Sequence, residues 1–277
     1  MLDSVMTSGF LPARPTLILD DGSRFTAVLL ALPDRAPSLW PRTRLNGTAP
    51  AAQARAFLDG NGLPEPEYTL VCSMNAPFPL SEDRTLRRES RIRRWKDWIK
   101  RTGGDAAQCL FRDAGTWECS SLLNEARRIF GNVLGTDGGM AAALAALSIE
   151  SLRTRSWNEG VTVLWAGERH IQAFMIYQEK ILGLYEQHSD ISRDLLLADL
   201  KDLRLNWLPD EQVRAAGGHG CICGDLPAEA EGFRPTWILG PERFRLEGCG
   251  RLVAPSGDDA FDRCLGLLYG LSLGTAA

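Results

Sequence analysis

The sequence predicts a mixed α/β protein of two lobes, and three observations lead there. Short apolar strands flank turns rich in glycine and aspartate. Helical stretches with one apolar face lie between them. The strand–turn–strand opening from Leu17 to Leu30 returns in outline from Val161 to Leu184. The expected division is 1–155 and 156–277. The chain has 277 residues, long enough for two ordinary lobes, and its 44% hydrophobic content suits a buried core.

The elements follow in chain order. Leu17-Ile18-Leu19 enters the turn Asp20-Asp21-Gly22-Ser23, and Ala27 to Leu30 leaves it. Asp, Gly and Ser are turn formers because they tolerate left-handed backbone or hydrogen-bond it locally. Residues 35–50, rich in proline and polar groups, are expected to be irregular. Ala51 to Leu58 is a short helix closed by Gly60-Asn61-Gly62, and Tyr68 to Ser73 a buried strand. Ser120 to Ile129 is a helix. Leu134-Gly135-Thr136 then leads into a glycine turn at Asp137-Gly138-Gly139, and Met140 to Leu147, almost all alanine and leucine, follows as a helix whose small side chains allow close approach.

In the second half, Val161 to Trp165, Ile171 to Tyr177 and Lys180 to Tyr185 form an antiparallel meander. A helix is expected from Leu195 to Leu203 and a glycine-rich turn from Ala215 to Gly220. Short strands follow at Trp237 to Leu239 and Arg251 to Ala254. A final helix runs from Asp258 to Leu271, with Phe261, Leu265, Leu268 and Leu271 on one face and acidic residues in its first turn.

Charge and cysteines narrow the function. Thirty-one basic residues stand against 35 acidic ones, a net of −4, so nothing favours a nucleic-acid partner. The segment from Arg84 to Arg101 is basic, with Trp95 and Trp98 interleaved; two readings stand, phosphate or nucleic-acid binding and, favoured by the acidic net charge, a solvated helix face whose long side chains cover the tryptophans. No run of eighteen apolar residues marks a membrane span, and Met1 to Pro15 lacks the pattern of a signal peptide. The seven cysteines are odd in number and irregularly spaced, which fits a reducing cytoplasm rather than a disulfide framework. Cys221 and Cys223 are too close to form an ordinary zinc knuckle. Cytoplasmic, soluble protein is the expectation; the partner is a small molecule or nucleotide, and no protein partner is indicated.

The three histidines, His170, His188 and His219, each adjoin a glycine cluster or a strand end. Function tends to sit in loops on a rigid scaffold. Three readings stay open. His170, His188 and His219 with Glu186 suit a divalent metal. Alternatively they contact phosphate or move protons near neutral pH. Otherwise they hydrogen-bond backbone in tight turns. The turns Asp20-Asp21-Gly22-Ser23, Asp137-Gly138-Gly139 and Gly217-Gly218 present amides that suit an anion, and an aspartate beside a phosphate suits Mg²⁺.

Several motifs then carry a family resemblance. They are Thr136-Asp137-Gly138-Gly139-Met140-Ala141-Ala142, Ile181 to Ser189 (ILGLYEQHS), Gly217-Gly218-His219-Gly220, Leu239-Gly240-Pro241-Glu242-Arg243, Ala254-Pro255-Ser256-Gly257-Asp258 and Cys264 to Leu268. In this order the chain, from about residue 70 to its end, resembles a prokaryotic domain family of unknown function. Members of that family sometimes carry the label pyruvate formate-lyase-activating protein. The family sits in the actin-like ATPase superfamily of actin, sugar kinases and Hsp70.

The resemblance implies a two-lobed, actin-like ATPase (RNase H-like) α/β fold with mixed sheets and an ATP–Mg²⁺ cleft. It implies a phosphate-gripping aspartate–glycine turn in each lobe, at Asp20 and Gly22 and at Gly167. It also implies a glycine pair against the adenosine, at Gly217-Gly218. The site residues expected are Asp20, Asp137, Glu186 and His188 for chemistry. Gly22, Ser23, Arg24, Gly138, Gly139, Gly167, His170, Gly217, Gly218 and His219 are expected to bind cofactor.

The chain departs from the family pattern in both turns. Arg24 and Phe25 stand where a glycine and a threonine are expected, and Trp165 where a small polar residue is expected. Three functions follow: an ATPase or phosphotransferase, a non-catalytic binding or regulatory module on the same fold, or a metal-dependent enzyme built on the histidines and Glu186.

Overall fold

The computed structural model describes residues 14–22, 24–73, 100, 103, 112–113, 121–167, 170–188, 219–223, 237–238 and 255–274. For residues 73, 112–113, 136–137, 139–140, 150–151, 170–171, 183–188, 219–222, 237–238 and 273–274 it describes the backbone alone. Nearly all of the basic segment from Arg84 to Arg101 lies outside these residues. So do the expected helix at Leu195, the strand at Arg251, and the site residues Ser23, Gly217 and Gly218.

The strands are β1 (Thr16–Asp21), β2 (Thr26–Ala31), β3 (Arg42–Leu45), β4 (Tyr68–Ser73), β5 (Arg112–Asp113) and β6 (Val133–Asp137) in the first half. The second half holds β7 (Val161–Ala166), β8 (His170–Tyr177), β9 (Lys180–His188), β10 (His219–Cys223) and β11 (Trp237–Ile238). They form two mixed sheets, ordered β3-β2-β1-β4-β6-β5 and β11-β10-β7-β8-β9. In the first, β1 pairs antiparallel with β2 and parallel with β4, and β4 continues parallel to β6. In the second, β7 pairs antiparallel with β8 and parallel with β10, and β10 continues parallel to β11. β7, β8, β9, β10 and β11 thus stand in the places of β1, β2, β3, β4 and β6.

The copies match in register. Thr16 opposes Ala31 and Tyr68; Val161 opposes Ile176 and His219. Asp20 opposes Ala27 and Cys72; Trp165 opposes Gln172 and Cys223. The outline similarity of the two halves is therefore a structural duplication. Parallel pairs force crossovers through helices, so each sheet acquires helical cover.

Among the described residues, the helices that supply it are α1 (Pro50–Gly60), α2 (Ser121–Ile129), α3 (Gly138–Leu147), α4 (Glu150–Asn158) and α5 (Asp259–Gly274). α1 and α2 pack on each other, and α2 lies on β4 and β6. α3 leaves the first sheet yet packs against β7 and β8, while α5 ends the chain yet packs against β1 and β2. The two cross-packed helices also pack on each other, which ties the two sheets into one core. This is an arrangement of mixed α/β sheets, as the resemblance implies.

The α3–α5 contact explains the alanine run. A Cβ on Gly270 would lie 2.4 Å from the Cβ of Ala145 and 2.5 Å from its Cα. Only two small residues allow backbones this close. Ser148 adds a hydroxyl that donates to the Gly270 carbonyl at 3.0 Å. At the far edge, the Tyr269 hydroxyl donates to the Pro37 carbonyl at 3.1 Å and accepts from Arg42 at 3.0 Å. Its ring stacks on Trp40, centroids 5.8 Å apart. Burial pushes the Tyr269 phenol above its ordinary pKa, with Arg42 opposing the shift.

Local rules fix the boundaries. α1 ends in a Schellman motif: the Leu63 N–H donates to the Leu58 carbonyl at 3.0 Å, with Gly62 left-handed at φ 59°. The β8–β9 turn places Gln178 and Glu179 at φ 50° and 62°, where glycine and asparagine are favoured. Neighbouring groups hold it there. Ser156 accepts from the Gln178 N–H at 2.8 Å through its carbonyl and from the Glu179 N–H at 3.2 Å through its hydroxyl.

Three expectations need correction. Residues 35–50 contain strand β3, whose charged residues fit a sheet edge rather than irregular chain. The glycine turn expected at Asp137-Gly138-Gly139 is instead a direct strand-to-helix junction, where Asp137 ends β6 and Gly138 begins α3. Within β6, a Cβ on Gly135 would stand 3.1 Å from Leu123 of α2. His219 and Gly220 open strand β10 rather than lying in a turn.

Candidate functional site

The β1–β2 turn stands at one end of the first sheet. The Gly22 N–H donates to the Phe25 carbonyl at 3.2 Å, which closes the turn and leaves Arg24 exposed. Beside it lies a cleft of about 420 Å³ walled by Asp21, Gly22, Arg24, Phe25, Thr48, Pro50, Ser121 and Glu125, among others. That volume is within the range of about 300–1,000 Å³ typical of small-molecule sites.

Two helix starts meet in this cleft. α1 begins at Pro50, whose missing N–H costs nothing at a first helical position. Its N-cap, Ala49, has φ 59° and offers no side-chain cap. Glu125 of α2 supplies one instead, accepting from the Ala52 N–H at 2.9 Å. Gly47, at φ 92°, and Ala49 together bend the loop, and a non-glycine residue in left-handed backbone stores strain of roughly 1–3 kcal/mol. α2 begins at Ser121, also in the cleft wall. Helix N-termini carry partial positive charge. At α1, Pro50 has no N–H and the Ala52 and Gln53 N–H groups already donate to Glu125 and to the Ala49 carbonyl, so what this wall offers an anion is the start of α2 and the exposed Arg24.

The sheet register sorts the expected catalytic carboxylates. Asp21 aligns with Ser73 and Asp137, whereas Asp20 aligns with Cys72 and Thr136. Aligned positions share a face and successive ones alternate. Asp20 and Asp137, expected to act together, therefore fall on opposite faces of the sheet. The position aligned with Asp137 is Asp21, two strands away at roughly 10 Å. Asp21 lines the cleft; Asp20 is buried, 1% exposed. Asp137 ends β6, and Gly138 and Gly139 begin α3 at the same end of the sheet.

The face that carries Asp20 meets α5. Phe25 packs edge-on against Phe261 at 6.2 Å, and the Arg44 guanidinium lies 4.3 Å above the Phe25 ring. Arg44 pairs with Asp258 at 2.5 Å. Asp258 caps α5, accepting from the N–H groups of Ala260 and Phe261 at 3.1 Å each. Burial pushes the Asp258 carboxyl up, but the Phe261 N–H, the Arg44 guanidinium and the Ala260 N–H together hold it below its ordinary value.

In the second sheet Gly167 directly follows β7, as Gly22 follows β1. Trp165 takes the place of Asp20 and is 1% exposed. The four-membered metal set does not assemble. His170 and His188 oppose each other, and Glu186 opposes Gln172. His219 opposes Val161 at the other end of β7, roughly 20 Å away at about 3.3 Å per residue. Among the residues with described side chains, no three His, Cys, Asp or Glu groups gather to hold a metal.

ATP and Mg²⁺, implied by the fold family, fit the first sheet and not the second. The first offers Gly22, Arg24, the start of α2 and the aligned carboxylates Asp21 and Asp137. The second has Ala166 in the place of Asp21 and the buried indole of Trp165 in the place of Asp20, and neither a methyl nor an indole ligates Mg²⁺ or accepts a hydrogen bond. Sequence reasoning singled out Gly22 and Arg24 but missed Thr48, Ser121 and Glu125. The signal lay in Pro50 and Ser121 as helix openers.

No functionally curated protein matches the chain. Among solved structures, it is similar to a Bacteroides thetaiotaomicron protein with actin-like ATPase fold and unknown function. That pair shares 10% identity over 82% of this chain and 87% of the other, with a TM-score of 0.44. It is also similar to the PilM–PilN type IV pilus biogenesis complex, at 14% identity over 96% and 98%, TM-score 0.48. A third is YeaZ from Pseudomonas aeruginosa, at 13% identity over 93% and 95%, TM-score 0.33. The family model described as "Putative pyruvate format-lyase activating enzyme (DUF1786)" matches residues 54–245, well over half of the chain, and the chain belongs to that family.

Proposed function

We propose that the protein binds a phosphate-bearing small molecule, a nucleotide in the first place, at the turn end of the first sheet. The observation that carries this is the meeting of the β1–β2 turn with the starts of α1 and α2 in one cleft of about 420 Å³. Arg24 and the N–H groups at the start of α2 would take the phosphates, and Asp21 with Asp137 would hold Mg²⁺, which neutralises phosphate charge. In this reading the chain divides into lobes 1–155 and 156–277 and acts in the cytoplasm. Cys72, Cys223 and Cys264, buried and not joined in disulfides, support that compartment. Among the described residues no helix is long and apolar enough to cross a membrane.

Trp165 favours a second reading of the same site, binding without hydrolysis, because the second sheet lacks the polar group that the first has.

Thermal denaturation with ATP, ADP and Mg²⁺ tests the proposal. Nucleotide at a hundred times its dissociation constant adds about 2.7 kcal/mol of stability. Wild type should show a clear rise in Tm that Arg24→Ala reduces. A flat response in wild type would sink the proposal. Phosphate release from bound ATP would overturn the second reading alone.

A further inference from the structure

We propose that His170, His188 and Glu186 form a divalent-cation site of two imidazoles and one carboxylate, at the end of the second sheet that follows Gly167. The inference is independent of nucleotide binding.

The register brings the three positions together. His170 begins β8 and opposes His188, which ends β9. Directly opposed residues in an antiparallel pair have Cβ atoms about 4.5–5.5 Å apart. Glu186 lies two residues before His188, so strand alternation puts it on the same face. On β7 and β8 that face also carries Val161, Val163, Trp165, Phe174 and Ile176, all part of the shared core against which α3 packs. Gln172, which opposes Glu186 and Trp165, is fully buried there.

The duplicated sheet supplies a second, independent observation. The register that equates Thr26 with Ile171 and Leu45 with Gln187 equates Phe25 with His170, Arg44 with Glu186 and Asn46 with His188. In the first sheet the side chains at these three positions touch. The Arg44 guanidinium lies 4.3 Å above the Phe25 ring and donates to the Asn46 side-chain oxygen at 3.2 Å. The same register brings these three positions together in the second sheet. In the second copy all three are metal donors.

The donor set selects the ligand. Two neutral imidazoles and a carboxylate suit Zn²⁺ or another first-row divalent ion, at bonds of about 2.0–2.2 Å, and leave a coordination position open. Mg²⁺ and Ca²⁺ prefer all-oxygen sites, so they should compete weakly.

Zn²⁺ titration of the full chain by calorimetry tests the site. Wild type should bind one Zn²⁺, reversed by EDTA and not displaced by excess Mg²⁺. His170→Ala and His188→Ala should each raise the dissociation constant at least tenfold, and Glu186→Gln should raise it less. His219→Ala, at the far end of the sheet, should bind as wild type does. No Zn²⁺ binding by wild type, or equal binding by the His170 and His188 variants, overturns the proposal. Should those variants fail to fold, wild type alone decides. Zn²⁺ should shield two of the three histidines from diethyl pyrocarbonate, and shielding of none, or of His219, contradicts the site.

Discussion

Asp20 and Trp165 occupy the same place in two copies of one sheet. Each is the fifth residue of its central strand, and each opposes a buried cysteine on the parallel neighbour, Cys72 and Cys223. Both are 1% exposed. The fold thus keeps its duplication while the chemistry of its two halves has parted. One half retains a carboxylate at this place, and the other fills the space with an indole that joins the core.

That division predicts how Trp165 responds to change. Trp165→Phe should fold and cost about 1–2 kcal/mol, since most of the buried apolar surface stays. Trp165→Ala should cost about 3–5 kcal/mol through the cavity it leaves. Urea unfolding measures both. Equal stability of all three proteins would mean that the indole is no part of the core.

The α3–α5 crossing predicts a sharp contrast between two glycines. Gly270→Ala drives a methyl into the Ala145 backbone, and overpacking of this kind costs about 1–3 kcal/mol. Gly60, at the end of α1, has nothing within 4 Å of a built Cβ and no positive φ. Gly60→Ala should stabilise by about 0.4–1 kcal/mol by restricting the unfolded chain. Chemical denaturation of the two variants should therefore move in opposite directions.

Asp258 makes stability depend on pH. Its carboxyl is held below the ordinary value of 3.8, so the folded state favours the charged form. The stabilisation is present above the unfolded pKa and is lost as pH falls through the lower, folded one. Wild type should exceed Asp258→Asn in stability at pH 6, and the gap should close below about pH 4. The effect should be small and weaken with salt, because the Arg44–Asp258 pair is 35% and 42% exposed. A gap that widened on acidification would contradict the assignment.

Much of this fold was legible in the chain because alternation and turn chemistry are local. The β1–β2 hairpin, the β7–β8–β9 meander, α1 with its Gly62 stop and the final helix all follow from neighbours in sequence. What escaped depends on tertiary surroundings. β3 is a charged edge strand, and only its pairing with β2 reveals it. β6 contains Gly135, which looks like a turn residue until Leu123 is seen against it. The site divides in the same way. Gly22 and Arg24 are visible in a local turn. Glu125 caps a helix 73 residues away, and the alignment of Asp21 rather than Asp20 with Asp137 is a property of register.

Hydrogen–deuterium exchange with and without MgATP tests the central claim most directly, because it reports where a ligand sits. The account predicts slowed exchange at the β1–β2 turn around Gly22, at the starts of α1 and α2, and at Gly138-Gly139 where α3 begins. Unchanged exchange at all of these, or protection confined to the second sheet, would contradict it.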